Sequence, residues 1–134
     1  MIIIDASVAL KFINTQEEGS EKTLELLERH TNGEEEIIIP SLLFLEVANA
    51  LATKSSVLEA QIKEGIDTLY DSKFFVYDVQ KDDTEEAALL ARKYNTSVYD
   101  MIYALIAKKK NITLITADSK FINRVKFPFV RSLN

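Results

Sequence analysis

The sequence predicts an α/β chain, a parallel sheet covered by helices on both faces. Three observations carry that expectation. Short β-branched runs without alternation, Met1 to Ile4 and Ile37 to Ile39, have the composition of strands buried on both sides. Longer segments between them show helical spacing of apolar residues and helix-start signals. Strand-like and helix-like segments alternate throughout, which calls for parallel strands joined by crossover helices.

With 134 residues, 47% hydrophobic and 28% charged, the chain suits one core, and a single domain over 1–134 is expected. No apolar run approaches the ~18 residues that span a bilayer. The start, MIIIDASVAL, lacks the basic region of a signal peptide. A cytoplasmic location without a membrane partner is therefore expected. The absence of cysteine excludes disulfides and thiolate metal sites. His30, the one histidine, lies among charged residues, which removes histidine triads and most zinc sites.

Taken in order, the first strand stops at Asp5, and Ala6 to Phe12 reads as a short helix or turn. Glu17 to His30 reads as an acidic helix with Leu24 and Leu27 inward, followed by a loop to Glu36. After the second strand, Pro40 and Ser41 open a helix whose apolar residues cover more than one face. Ser56 and Glu59 have capping-box spacing and open a helix with Leu58, Ile62, Ile66, Leu69 and Tyr70 on one stripe. Phe74 to Tyr77 is the expected third strand and Asp83 to Tyr94 the next helix. A helix opening near Ser97 closes on Lys108, Lys109 and Lys110, and a strand from Ile112 to Thr116 follows. Phe127 to Val130 is expected as a last strand, at an edge because of Pro128.

This order places four acids at one rim. Asp5 and Asp118 follow strands, and Glu46 and Asp100 lie near the starts of helices. A ten-residue helix at ~1.5 Å per residue and a five-residue strand at ~3.3 Å both span roughly 15 Å. Folding one back on the other brings Asp100 and Asp118 to the same edge. Asp5 would sit where open α/β sheets form their crevices, with the Ser7 hydroxyl in the same neighbourhood. Each residue also has a plain structural reading. Asp5, Ser7 and Asp118 can cap helices, Ser97 and Asp100 can form a capping box, and Glu46 can face water through a gap in the packing.

Two carboxylates ~4 Å apart repel by about 4 kcal/mol at an effective dielectric of ~20, so four together need a cation to stay ionised. All-oxygen ligands suit Mg²⁺ or Mn²⁺. An open site of that kind activates water and stabilises a phosphoryl transition state. The formal net charge of -5 opposes nucleic-acid binding, but residues 119–134 hold Lys120, Arg124, Lys126 and Arg131 and no acid. That tail either grips a phosphate backbone or is simply solvated.

Ile3-Ile4-Asp5-Ala6-Ser7, Pro40-Ser41 leading to Glu46, Tyr99-Asp100 followed by Tyr103-Ala104-Leu105, and Leu114 to Asp118 leading to Phe121 together resemble the PIN-domain family, and within it the VapC-like toxins. The resemblance runs the length of the chain. It implies a three-layer α/β/α sandwich and an endoribonuclease with Asp5, Glu46, Asp100 and Asp118 around Mg²⁺ or Mn²⁺. It further implies Ser7 and Thr116 as supporting hydroxyls, an RNA substrate, a homodimer and a small antitoxin partner. In this chain Met101 stands where many relatives have alanine, and Lys120 where some carry a further acid. Family members also include RNA-processing and decay nucleases. A PIN-like interaction module without activity is the non-enzymatic alternative. A phosphoacceptor receiver domain is a further small α/β class with an acidic Mg²⁺ pocket, but its paired first-strand acids and late lysine are not found here.

Overall fold

A computed structural model describes residues 1–13, 19–54 and 56–134. The elements run β1 (Ile2–Ile4), α1 (Ala6–Ile13), α2 (Ser20–Thr31), β2 (Ile37–Pro40), α3 (Leu42–Thr53) and α4 (Glu59–Asp71). They continue with β3 (Phe75–Tyr77), α5 (Lys81–Tyr94), α6 (Val98–Lys110), β4 (Thr113–Thr116), α7 (Ser119–Val125) and β5 (Val130–Ser132). The strands form one five-stranded sheet of order β3-β2-β1-β4-β5, with every neighbouring pair parallel. Right-handed crossovers then put α1 to α4 over one face and α5 to α7 over the other, the α/β/α arrangement.

The order reverses at β1. The chain moves outward through β2 and β3, returns to the other side of β1 as β4, and ends at β5. A reversal of this kind leaves a crevice at the carboxyl ends of the two strands that flank it. Ile4 is in register with Ile115, so the residues that follow, Asp5 and Thr116, stand side by side in that crevice.

The core explains why β1 had to be featureless. Ile3 and Ile4 are fully buried, as are Ile37 and Ile39 on β2. On α6, every residue from Met101 to Ala107 is buried, so the middle of this helix is core on all sides. Asn95 and Asn111, both in the left-handed region, end α5 and α6; the first turns the chain from α5 into α6 and the second from α6 into β4. Gly65 lets α4 close on α1, since a Cβ there would stand 2.8 Å from the Ile13 Cγ2 methyl.

Several local expectations shift. Helix α4 begins at Glu59 without using Ser56; its reach-back bond runs from the Leu58 N–H to Gln61 Oε1 at 2.8 Å. On α2, Leu24 points outward at 41% exposure, and the buried residues are Ser20 and Thr23. Glu17, at the expected start of that helix, lies outside the described residues. The last strand is Val130–Ser132, because Phe127 and Phe129 stack on one another at 5.2 Å across a turn at Pro128. Its edge position is as expected.

His30 has a structural occupation. Its Nδ1 accepts the Ile37 N–H at 3.1 Å, its Nε2 lies 3.3 Å from the Lys73 carbonyl, and its ring packs against Phe74. A second polar network lay hidden in the sequence. Asp83, 1% exposed, is ion-paired with Lys109 and accepts hydrogen bonds from Tyr77 Oη and the Gln80 N–H, both at 2.9 Å. Burial alone would raise the Asp83 carboxyl; these partners outweigh it and hold the group below its ordinary value.

Candidate active site

The site is built from the backbone of two adjacent strands. Asp5 leaves β1 as the cap of α1: its Oδ1 accepts the Val8 N–H at 3.2 Å and its carbonyl accepts the Ala9 N–H. Ser7 Oγ donates to Oδ1 at 2.5 Å, and Thr116 Oγ1 donates to Oδ2. Both hydroxyls are themselves acceptors, Ser7 from the Ala117 N–H and Thr116 from the Asp118 N–H, each at 3.0 Å. A hydroxyl that receives an N–H turns its own proton elsewhere, and in both cases that is toward Asp5. The turn after β4 therefore fixes Asp5 as an acceptor, and the same bonds fix the backbone that carries Asp118.

Asp118 caps α7 through Oδ1, which accepts the Phe121 N–H at 3.1 Å. Asp100 sits in the first turn of α6, its own N–H bonded to the Ser97 hydroxyl at 3.0 Å. Glu46, half-buried one turn into α3, accepts a 2.6 Å hydrogen bond from Tyr103 Oη. The capping readings of Asp5 and Asp118 are what the structure shows, since Oδ1 of each accepts a backbone N–H of the helix that follows, and capping leaves room for a second role at the sheet edge. Glu46 is half-buried, with one oxygen engaged by Tyr103.

Electrostatics show which acids are neighbours. Burial raises the Asp5 carboxyl above its ordinary value, bonds from Ser7, Thr116 and Val8 offset part of that, and the Asp100 charge raises it further. Glu46 is raised by burial, lowered in part by Tyr103, and raised again by Asp100 and Asp5. Asp100 is raised by burial and by Asp118, against the lowering effect of Ser97. Asp100 is the common neighbour of the other three. Among the described residues no three acidic or histidine side chains stand ready-grouped to hold a metal ion. The donor set nonetheless fits a hard divalent cation: its side-chain donors are all oxygen, and the carboxyls of Asp5, Glu46 and Asp100 are raised by burial and by neighbouring acids, which a cation would reverse.

Thr116 is fully buried, and Thr116→Val strands both the Asp118 N–H and an Asp5 oxygen. The expected cost is about 1–3 kcal/mol in urea unfolding. A midpoint equal to that of the parent would show that the Thr116 hydroxyl does not hold the strand ends together.

The two basic residues differ. Lys120 is exposed in the first turn of α7. Arg124 is exposed as well, but its Nη1 donates to the Asn95 carbonyl at 2.8 Å, fastening α7 to the end of α5. Met101 is wholly buried in the core. Tyr103 is the site feature that the sequence reading left without a role. Its signal was available, since Asp100 and Tyr103 are three apart on one helix face and Tyr103 is the polar member of a buried apolar run.

A comparison with curated protein sequences gives no match. Among solved structures, a toxin–antitoxin complex from Klebsiella pneumoniae superposes with a TM-score of 0.72 at 17% identity, covering 100% of this chain and 98% of that one. VapC20 of Mycobacterium tuberculosis, described as a sarcin-ricin loop cleaving toxin, gives 0.69 at 14% identity, covering 92% and 94%. VapBC2 of Rickettsia felis, bound to a DNA fragment from its promoter, gives 0.69 at 19% identity with 98% of each chain covered. At such identities these likenesses speak for the fold. The family model of the PIN domain matches residues 2–127, nearly the whole sequence, and on that ground the chain belongs to the PIN domain family.

Proposed function

We propose that this chain is a Mg²⁺- or Mn²⁺-dependent endoribonuclease and the toxin of a toxin–antitoxin pair, acting as a single domain over residues 1–134. The observation that supports it most is Asp5, held as a hydrogen-bond acceptor at the sheet's switch point within electrostatic reach of Glu46 and Asp100. The fold shared with proteins described as toxins, one of them as cleaving the sarcin-ricin loop, supports RNA as the substrate class.

Asp5, Glu46, Asp100 and Asp118 are the residues that would hold the cation, which when bound supplies an activated water and neutralises charge on the phosphodiester. Ser7 and Thr116 keep Asp5 in its accepting state, and Ser97 anchors the turn that carries Asp100. Lys120 and Arg124, on the helix that Asp118 caps, give the RNA backbone a cationic approach. A homodimer, a small antitoxin that covers the site and a cytoplasmic setting complete this reading.

The test is cleavage of single-stranded and structured RNAs by purified protein with Mn²⁺ or Mg²⁺ and with EDTA. Cleavage that requires the cation is expected. RNA left intact under all conditions, or cleaved equally well in EDTA, would overturn the assignment.

A further inference from the structure

The bond between Tyr103 and Glu46 joins residues 57 positions apart, on α6 and α3. Tyr103 is 1% exposed and among the largest fully buried side chains, so its hydroxyl cannot turn to water. A buried phenol needs a polar partner, and here it is a carboxylate. Among the described residues, Glu46 accepts no other hydrogen bond, which leaves Oε2 uncommitted. Glu46 also feels the charges of Asp100 and Asp5, which would otherwise push its side chain away from the cluster.

We propose that Tyr103 is a positioning residue: its hydroxyl holds Glu46 by Oε1 against the repulsion of Asp5 and Asp100, so that Oε2 stays beside them as a ligand. This deepens the nuclease reading and rests on it. Asp100 and Tyr103 lie three residues apart on α6, so one buried helix supplies an acid of the site directly and fixes another from a different helix. The arrangement is that of a ligand and its supporting hydrogen bond, where loss of the support costs about 10- to 100-fold in metal affinity.

Tyr103→Phe removes one oxygen and keeps the ring. In RNA-free protein, the Mn²⁺ dissociation constant measured by calorimetry is expected to rise about 10-fold or more. With saturating Mn²⁺, kcat on a short RNA should fall while KM changes less than about 2-fold, since Tyr103 is buried away from the nucleic acid. A double-mutant cycle separates positioning from mere packing. In a Glu46→Ala background, which has no side-chain acceptor, Tyr103→Phe should change Mn²⁺ affinity little, because its route of action is gone. An affinity within about 2-fold of the parent in Tyr103→Phe, or an equal loss in both backgrounds, would overturn the proposal.

A readout on the parent guards against a variant that folds poorly. The assigned Tyr103 Cζ resonance should move on Mg²⁺ titration, and a resonance that stays put would likewise overturn it. Asp5→Asn tells the two readings apart. If it abolishes Mn²⁺ binding while Tyr103→Phe does not weaken it, the metal site stands and only the positioning role falls. If the parent binds no Mn²⁺, both fall.

Discussion

Replacing Asp5 by asparagine is expected to lower Mn²⁺-dependent RNA cleavage by at least ~10³-fold, about 4 kcal/mol of transition-state stabilisation, while the protein remains folded. The reason is the position of the residue. Asp5 stands where β1 ends beside β4, and two hydroxyls and one backbone N–H point their protons at it. Asparagine has the same shape but carries no charge and presents N–H protons on one of its two terminal atoms, facing groups that are themselves donors. The rate constant should collapse under saturating RNA, with substrate affinity changed much less. A variant with more than about a tenth of parental activity, checked for its fold by circular dichroism, would place the chemistry elsewhere.

The second large effect is stabilisation by metal, and its sign depends on pH. Asp5, Glu46 and Asp100 have carboxyls raised above their ordinary values of 3.8, 4.5 and 3.8, so the folded state binds their protons more tightly than the unfolded chain does. The stability these groups contribute is fully present below those ordinary values and is lost as pH rises through the raised ones. Metal-free protein therefore gives up stability at this site on approach to neutral pH. Mn²⁺ at about 100 times its dissociation constant should then add ~2.7 kcal/mol. The increment should shrink on acidification, because protons and cation compete for the same oxygens.

Asp83 works in the opposite direction, since its lowered carboxyl contributes stability above 3.8 that is lost as pH falls. Comparison with Asp100→Asn isolates the site from that background. The variant should be more stable than the parent in EDTA at neutral pH and should lose most of the Mn²⁺ increment. Thermal melts across pH 5 to 8 decide this. An increment that is independent of pH, or one that survives in Asp100→Asn, would mean that Mn²⁺ binds somewhere else.

Much of this was legible in the sequence, for identifiable reasons. The strands at the centre of the sheet are runs of isoleucine with no polar residue to confuse their period, and α6 announces itself with Ser97 at one end and three lysines at the other. Asp5, Asp100 and Asp118 could be placed on their elements because each follows a strand or opens a helix, positions that local signals define, and Glu46 because it lies one turn into a helix that Pro40 and Ser41 announce. What escaped was settled through space. The Tyr103 bond to Glu46 and the Lys109 pair with Asp83 join residues 57 and 26 apart, and no periodicity encodes such partners. The last strand was misplaced because Phe127 and Phe129 have strand-like composition but spend their rings on each other and, in the case of Phe127, on Tyr94 at 5.0 Å. Leu24 was misjudged because α2 packs through Ser20 and Thr23 together with Leu26 and Leu27, which turns Leu24 outward.

The contact between Thr116 and Asp5 spans 111 residues of chain. Closing so long a loop costs entropy before any pairing rewards it, and non-local parallel strands are among the slowest structures to assemble. The candidate cleft is accordingly not a local motif that flickers into being in a half-folded molecule. It comes into existence only with the central ladder of the sheet, so kinetic intermediates that lack the β1–β4 pairing should be inert toward RNA even when most of their helices have formed.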